Sequence, residues 1–171
     1  MSERIVVDAS AGLAILRDEP EAPRLQAALR THVGESGLVV VPSHFWLEIG
    51  NVLVRRYRYD PRTIIERLRL LSEFNIDTVE VDRQLFLLAL DRAMRFSLSV
   101  YDAAYLALAE AQTARLLTLD ADLRAAAGPI AIWIGPHRLA EEAAPYASDP
   151  SEVWAEYGGY LAELRREALA T

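Results

Sequence analysis

Arg4-Ile5-Val6-Val7-Asp8-Ala9-Ser10 (RIVVDAS, residues 4–10) is the stretch on which the reading of the fold turns. A continuous β-branched apolar run, without polar alternation, marks a strand buried on both faces, as parallel sheets require. It ends in Asp8-Ala9-Ser10, after which Leu13, Ile15 and Leu16 start a helix. Strand, acid, helix is the repeating unit of an α/β sheet, and ligands gather beyond the carboxyl ends of such strands.

Outward from this unit the alternation continues. A helix is predicted over Glu21–Thr31 and broken by Gly34 and Gly37, and Leu38–Val41 is a buried strand stopped by Pro42. Ser43 reads as the cap of a helix that carries Phe45, Trp46, Ile49, Val52 and Leu53 at helical spacing. Asp60-Pro61 opens another, with Ile64, Ile65, Leu68 and Leu71 as its apolar face. Ile76–Val81 is a short strand, followed by helices over Arg83–Phe96 and Tyr101–Thr113. Arg115–Thr118 is a strand, Asp120–Ala127 a short helix, and Ile130–Ile134 a last strand fenced by Gly-Pro pairs at 128–129 and 135–136. The expectation is a three-layer α/β/α domain over residues 1–135, around a mainly parallel sheet of about five strands. Beyond it, residues 136–171 are expected to form a C-terminal helical extension, packed on the domain or projecting from it and ending in amphipathic Tyr160–Leu169.

A chain of 171 residues is most simply one domain, able to bury about 70% of its unfolded surface without disulfides. It contains no Cys, which excludes thiol chemistry and fits a reducing cytoplasm. The charged start MSER and short apolar run do not make a signal peptide, and no stretch reaches 18 apolar residues, so no membrane span is expected. A net charge of −7 argues against nucleic-acid binding by bulk attraction. All 18 basic residues are Arg, a residue that grips phosphate with a two-pronged fork, although codon bias accounts for the same composition.

Four acids stand against apolar runs: Asp8, Glu48 in FWLEIGNVL, Asp102 in SVYDAAYLALA and Asp120 in RLLTLDADL. Singly they have plain explanations, because Asp8, Asp102 and Asp120 lie near helix starts, where Asp caps the helix and suits its dipole. Glu48 is different, since an acid among Phe45, Trp46, Leu47 and Ile49 is seldom buried without a partner. Asp8 and Asp120 each follow a strand, so the topology would bring acids to one sheet edge. Carboxylates crowded there repel one another unless cations neutralise them. An oxygen-only set without Cys suits Mg²⁺ or Mn²⁺ rather than Zn²⁺, and points to phosphoryl chemistry with metal-activated water. Asp122 is a possible fifth ligand; Ser10 would hold a metal water or cap the first helix; Asn51, on the same helix face as Glu48, would orient a ligand. His32, His44 and His137 show no metal-ligand spacing and read as structural or solvent-facing. Arg55, Arg56 and Arg58 form a small basic cluster after Glu48.

The ordered segments IVVDASAGLAIL, PSHFWLEIGNVLVRR and LSVYDAAYLALAEAQTARLLTLDADLRAA resemble the motifs of PIN-domain ribonucleases, and most of all the VapC-type toxins of toxin–antitoxin pairs. The resemblance runs from about residue 4 to 135. It implies a PIN-like fold and an acidic metal site of Asp8, Glu48, Asp102 and Asp120, with Ser10 in the small hydroxyl position and Thr118 supporting the last acid. It further implies Mg²⁺- or Mn²⁺-dependent endoribonuclease cleavage, an RNA substrate, a VapB-like antitoxin and a homodimer. The 141–171 tail is longer than that pattern needs. One competing reading is a non-catalytic PIN-like module binding RNA or protein; four intact acids count against it. Another is an aspartyl-phosphate phosphatase with Asp8 as nucleophile, which would want an acid where Ser10 stands.

Overall fold

A computed structural model of the chain describes residues 3–132 and 134; the expected extension over 136–171, and His137 with it, lie outside the described residues. Five strands form one sheet: β1 Arg4–Val7, β2 Leu38–Pro42, β3 Asp77–Val79, β4 Arg115–Leu117 and β5 Ala131–Ile132. Their order is β3-β2-β1-β4-β5 and every pairing is parallel. Ile5 stands between Val39 and Arg115, so β1 is hydrogen-bonded on both sides. Val6, Val7, Val39, Val40 and Val41 are all buried, as strands covered on both faces must be.

Among the described residues seven α-helices connect the strands: α1 Ala9–Leu16, α2 Ala22–Gly34, α3 His44–Asn51, α4 Pro61–Ser72, α5 Arg83–Phe96, α6 Val100–Ala111 and α7 Ala121–Ala127. They form the outer layers of an α/β/α sandwich. α1 packs with α2, α3 and α4, while α6 crosses β1, β2 and β4 under a cover of α5. This double coverage explains why Ala103 to Ala109 of α6 are buried without interruption. Small side chains there bring helix and sheet close. A second close approach joins α1 to α3: a Cβ on Gly12 would sit 2.8 Å from Phe45 Cζ and 3.0 Å from Ile49 Cδ1. Among the described residues no helix is long and apolar enough to cross a membrane.

Element boundaries differ from the sequence expectations in instructive ways. Ser43 does not cap α3: its own backbone is helical, and its hydroxyl instead accepts from Val81 N at 3.3 Å. The helix after Glu48 does not stay α-helical to Leu53, because Val52–Arg56 widens into a π turn closed by Tyr57 N donating to Val52 O at 3.2 Å. Of the strand predicted over 130–134, Ile130 falls in a 3₁₀ turn and Ala131–Ile132 pairs with β4. Ile65, placed on the apolar face of α4, is exposed.

Candidate active site

The order of strands reverses between β1 and β4, whose chains leave the sheet in opposite lateral directions and open a crevice beyond their carboxyl ends. Asp8 stands at that point. Its N–H donates to Leu117 O at 3.1 Å, one step beyond the strand, and its carboxylate then turns to cap α1 by accepting from Ala11 N at 3.0 Å. Asp120 occupies the equivalent place after β4 and caps α7 through Leu123 N at 2.7 Å. Both acids thus cap a helix that starts beyond a strand end.

Two hydroxyls tie these strand ends together. Ser10 Oγ donates to the Asp8 carboxylate at 2.8 Å and accepts from Leu119 N at 2.9 Å. Thr118 Oγ1 donates to Asp8 Oδ2 at 2.8 Å and accepts from Asp120 N at 3.0 Å. Each hydroxyl spends its one proton on Asp8 and its lone pairs on the β4 loop. Although it accepts from three donors, Asp8 is buried, and burial pushes its carboxyl from 3.8 up to about 6, with the nearby Asp120 charge adding to the effect.

The other two acids come from α6 and α3. Asp102 does not cap α6: Ser99 does, accepting from Asp102 N at 3.1 Å, and Ser99 Oγ is 2.6 Å from Asp102 Oδ2. Partial burial raises the Asp102 carboxyl, opposed by the Ser99 hydrogen bond and reinforced by Asp120 and Asp122. Glu48 accepts a hydrogen bond at Oε2 from Tyr105. Desolvation pushes Glu48 from 4.5 up to about 7 in spite of that bond, with Asp102 and Asp8 adding repulsion. The mutual charge effects run from Asp8 to Asp120, from Glu48 to Asp8 and Asp102, and from Asp102 to Asp120. The fold thus assembles all four acids into one electrostatic cluster. Asp122 lies in the first turn of α7, exposed, and joins the cluster only through its charge on Asp102. Asn51 is the exposed last residue of α3 and hydrogen-bonds none of the acids.

Two side chains of this site were not singled out from sequence. Tyr105 looks like a core aromatic in an Ala-Leu helix, and its ring is indeed buried, but its hydroxyl reaches Glu48. A tyrosine buried where phenylalanine would pack implies a partner for its O–H, and that was the available signal. His44 read as structural or solvent-facing; it lies beside the acids instead. Its ring meets Tyr105 edge-on at 4.8 Å, and its Nε2 lies 3.6 Å from Glu48 Oε2, buried and without a hydrogen-bond partner among the described residues. Burial lowers its pKa, which keeps the ring neutral. His32 behaves as read: buried, with Nε2 at 3.2 Å from Leu38 O.

Hard oxygen donors of this kind suit Mg²⁺ or Mn²⁺. Among the described residues no group of three His, Asp or Glu is placed to hold one ion by itself. The fit is therefore to an ion that takes one or two carboxylates and completes its shell with water and a phosphate, as Mg²⁺ commonly does.

A protein-family profile described as PIN domain matches residues 5–129. Ribonuclease VapC9 of Mycobacterium tuberculosis is 35% identical over 119 residues, spanning 68% of this chain and 85% of that protein. Among solved structures, PAE2754 of Pyrobaculum aerophilum aligns with a TM-score of 0.54 at 24% identity, over 77% of this chain and 91% of that one. A chain of a toxin-antitoxin complex from Klebsiella pneumoniae aligns with a TM-score of 0.55 at 16% identity, over 77% of this chain and 98% of that one. At these identities the two structures bear on the fold alone.

Proposed function

This chain belongs to the PIN-domain family, and on that premise we propose that it is an Mg²⁺- or Mn²⁺-dependent endoribonuclease, the toxin of a type II toxin–antitoxin module. The observation that carries the reading is the cluster of Asp8, Glu48, Asp102 and Asp120 at the strand-order switch, all oxygen donors, with burial raising the pKa of Asp8, Glu48 and Asp102. Such a cluster costs stability unless cations neutralise it. The 35% identity to a protein named as a ribonuclease supports RNA as substrate. The naming of that relative as a VapC protein supports an antitoxin partner.

One or two of the four acids would hold the ion, with water and a phosphate completing its shell. When bound, the ion supplies Lewis-acid chemistry: it lowers the pKa of water and offsets phosphate charge. The rest falls to the chain's own residues. Ser10 and Thr118 keep Asp8 in one orientation and fasten it to the loop that carries Asp120. Ser99 orients Asp102 and Tyr105 orients Glu48. At a net charge of −7 the protein repels RNA at long range, so attraction is local, through the neutralised site and exposed Arg55, Arg56 and Arg58. The molecule acts in the cytoplasm as a homodimer held inactive by a VapB-like antitoxin, with residues 1–135 forming the nuclease domain and 136–171 an accessory extension.

The test is a pulse of expression in a bacterial host with RNA ends mapped across the transcriptome, comparing wild type with an Asp8→Asn/Asp102→Asn double variant at matched protein level. Growth arrest with discrete new RNA ends for the wild type alone is the expected result. Identical ends from both proteins, together with identical Mn²⁺ binding by calorimetry, would overturn the reading in favour of a binding module.

A further inference from the structure

Glu48 is the acid of the site whose setting is least like the others. Asp8, Asp102 and Asp120 each accept a hydrogen bond from within three residues, and Asp8 a further one from Thr118. Glu48 sits in mid-helix on α3, where no backbone N–H is available to it. Its one donor is Tyr105, 57 residues away on α6. Both protein contacts fall on the same oxygen: Tyr105 donates to Oε2, and His44 Nε2 lies 3.6 Å from that atom. Oε1 has no partner among the described residues.

Tyr105 is itself fixed. Its ring is buried, stacked edge-on against His44 at 4.8 Å, and it lies one turn after Asp102 on the same face of α6. The His44 ring in turn rests against Tyr101 at 5.8 Å. The imidazole packs between two tyrosines and beside Glu48 Oε2, its Nε2 without a hydrogen-bond partner among the described residues.

We propose that Tyr105 is the positioning residue of the candidate site: its hydroxyl, backed by the His44 ring, holds Glu48 by Oε2 and leaves Oε1 to face the ion or its water. This rests on the metal-nuclease reading and extends it to a residue that touches neither metal nor RNA. Partners in this position, behind a ligating carboxylate, typically matter 10–100-fold for metal affinity.

The experiment is Mn²⁺ calorimetry and metal-free thermal melting on the full chain as wild type, Asp8→Asn, Tyr105→Phe, Glu48→Gln and Glu48→Gln/Tyr105→Phe. Phenylalanine keeps the buried ring, so the melting temperature should stay close to wild type while Mn²⁺ affinity falls about 10-fold or more. If Tyr105 acts through Glu48, the double variant binds Mn²⁺ as Glu48→Gln alone does. Wild-type Mn²⁺ affinity in Tyr105→Phe overturns the proposal, and so does a double variant whose losses simply add. A collapse of the melting temperature in Tyr105→Phe would assign the residue to the core and also overturn it. Asp8→Asn separates the two levels. If it loses Mn²⁺ while Tyr105→Phe does not, only the positioning role falls; if it binds Mn²⁺ like the wild type, the nuclease reading and this inference fall together.

Discussion

Asp8 and Asp60 do the same local work at two helix N-termini and titrate in opposite directions. Asp8 caps α1 through Ala11 N, and Asp60 caps α4 through Arg62 N and Thr63 N. At Asp60 the Thr63 hydroxyl and backbone hold the carboxyl below its usual range, because water surrounds it and no other acid is near. At Asp8 two hydroxyls and a backbone N–H pull the same way and still lose to burial, so the carboxyl rises to about 6. A cap in solvent stabilises its helix and ends there. A cap at the switch point of the sheet carries a charge that the fold alone does not stabilise, and that surplus is what makes it a candidate for chemistry.

The contrast breaks or holds most visibly in Asp→Asn variants, because asparagine keeps an N-cap while removing its charge. Asp8→Asn should lower RNA cleavage on the order of 1000-fold, the scale on which metal-site charge stabilisation operates. Asp60→Asn should leave cleavage and Mn²⁺ binding as they were. Equal activity of both variants in a fluorogenic RNA assay would erase the distinction.

Stability against pH sharpens it. An unfolded Asp titrates near 3.9, so between about pH 4 and pH 6 the native state holds more protons on Asp8 than the unfolded chain does. Stability therefore falls as pH rises through that window, and Glu48 carries the decline on to about pH 7. A shift of the size at Asp8 corresponds to about 3 kcal/mol. Asp60 works the other way: its contribution is present above the unfolded value and is lost as pH falls through its depressed one. Urea melts in chelator from pH 4 to pH 8 should show the decline, and Asp8→Asn should flatten it. Added Mn²⁺ at pH 7.5 should stabilise the wild type more than that variant.

A smaller effect is expected where the acid edge depends on packing. Gly12→Ala would place a methyl 2.8 Å from Phe45 Cζ, between the helix that follows Asp8 and the helix that carries Glu48. Overpacking of this kind costs about 1–3 kcal/mol. Denaturant melts would measure that cost, and a loss of Mn²⁺ affinity beside it would show that the α1–α3 contact sets the spacing of the acids.

Much of this arrangement is legible in the sequence. The uniformly apolar runs at Arg4–Val7 and Leu38–Val41 appear as central parallel strands, since only residues that tolerate burial on both faces can fill them. Asp8 and Asp120 were readable as strand-end acids because strand and cap signals are both local. Ser43 misled because a serine before a helix carries the same signature whether its hydroxyl serves the helix or a neighbouring strand, and here Val81 N claims it. Asp102 misled in the same way, with Ser99 taking the cap three residues earlier. Tyr105 and His44 went unnoticed because an aromatic at a buried helical position looks the same whether its polar end is wet, satisfied or functional.

The sequence by itself determined the alternation of elements, the parallel sheet and the acids that end its central strands, since each depends on neighbours a few residues apart. Tertiary structure alone decided that Thr118, 110 residues from Asp8, would donate to it, that Tyr105 would reach Glu48, and that Asp8 would be too dry to ionise easily where Asp60 is not. The physical reason is range. Capping and periodicity act within a turn of the chain, whereas desolvation and charge repulsion depend on whatever the fold brings within a few ångströms, however distant in sequence.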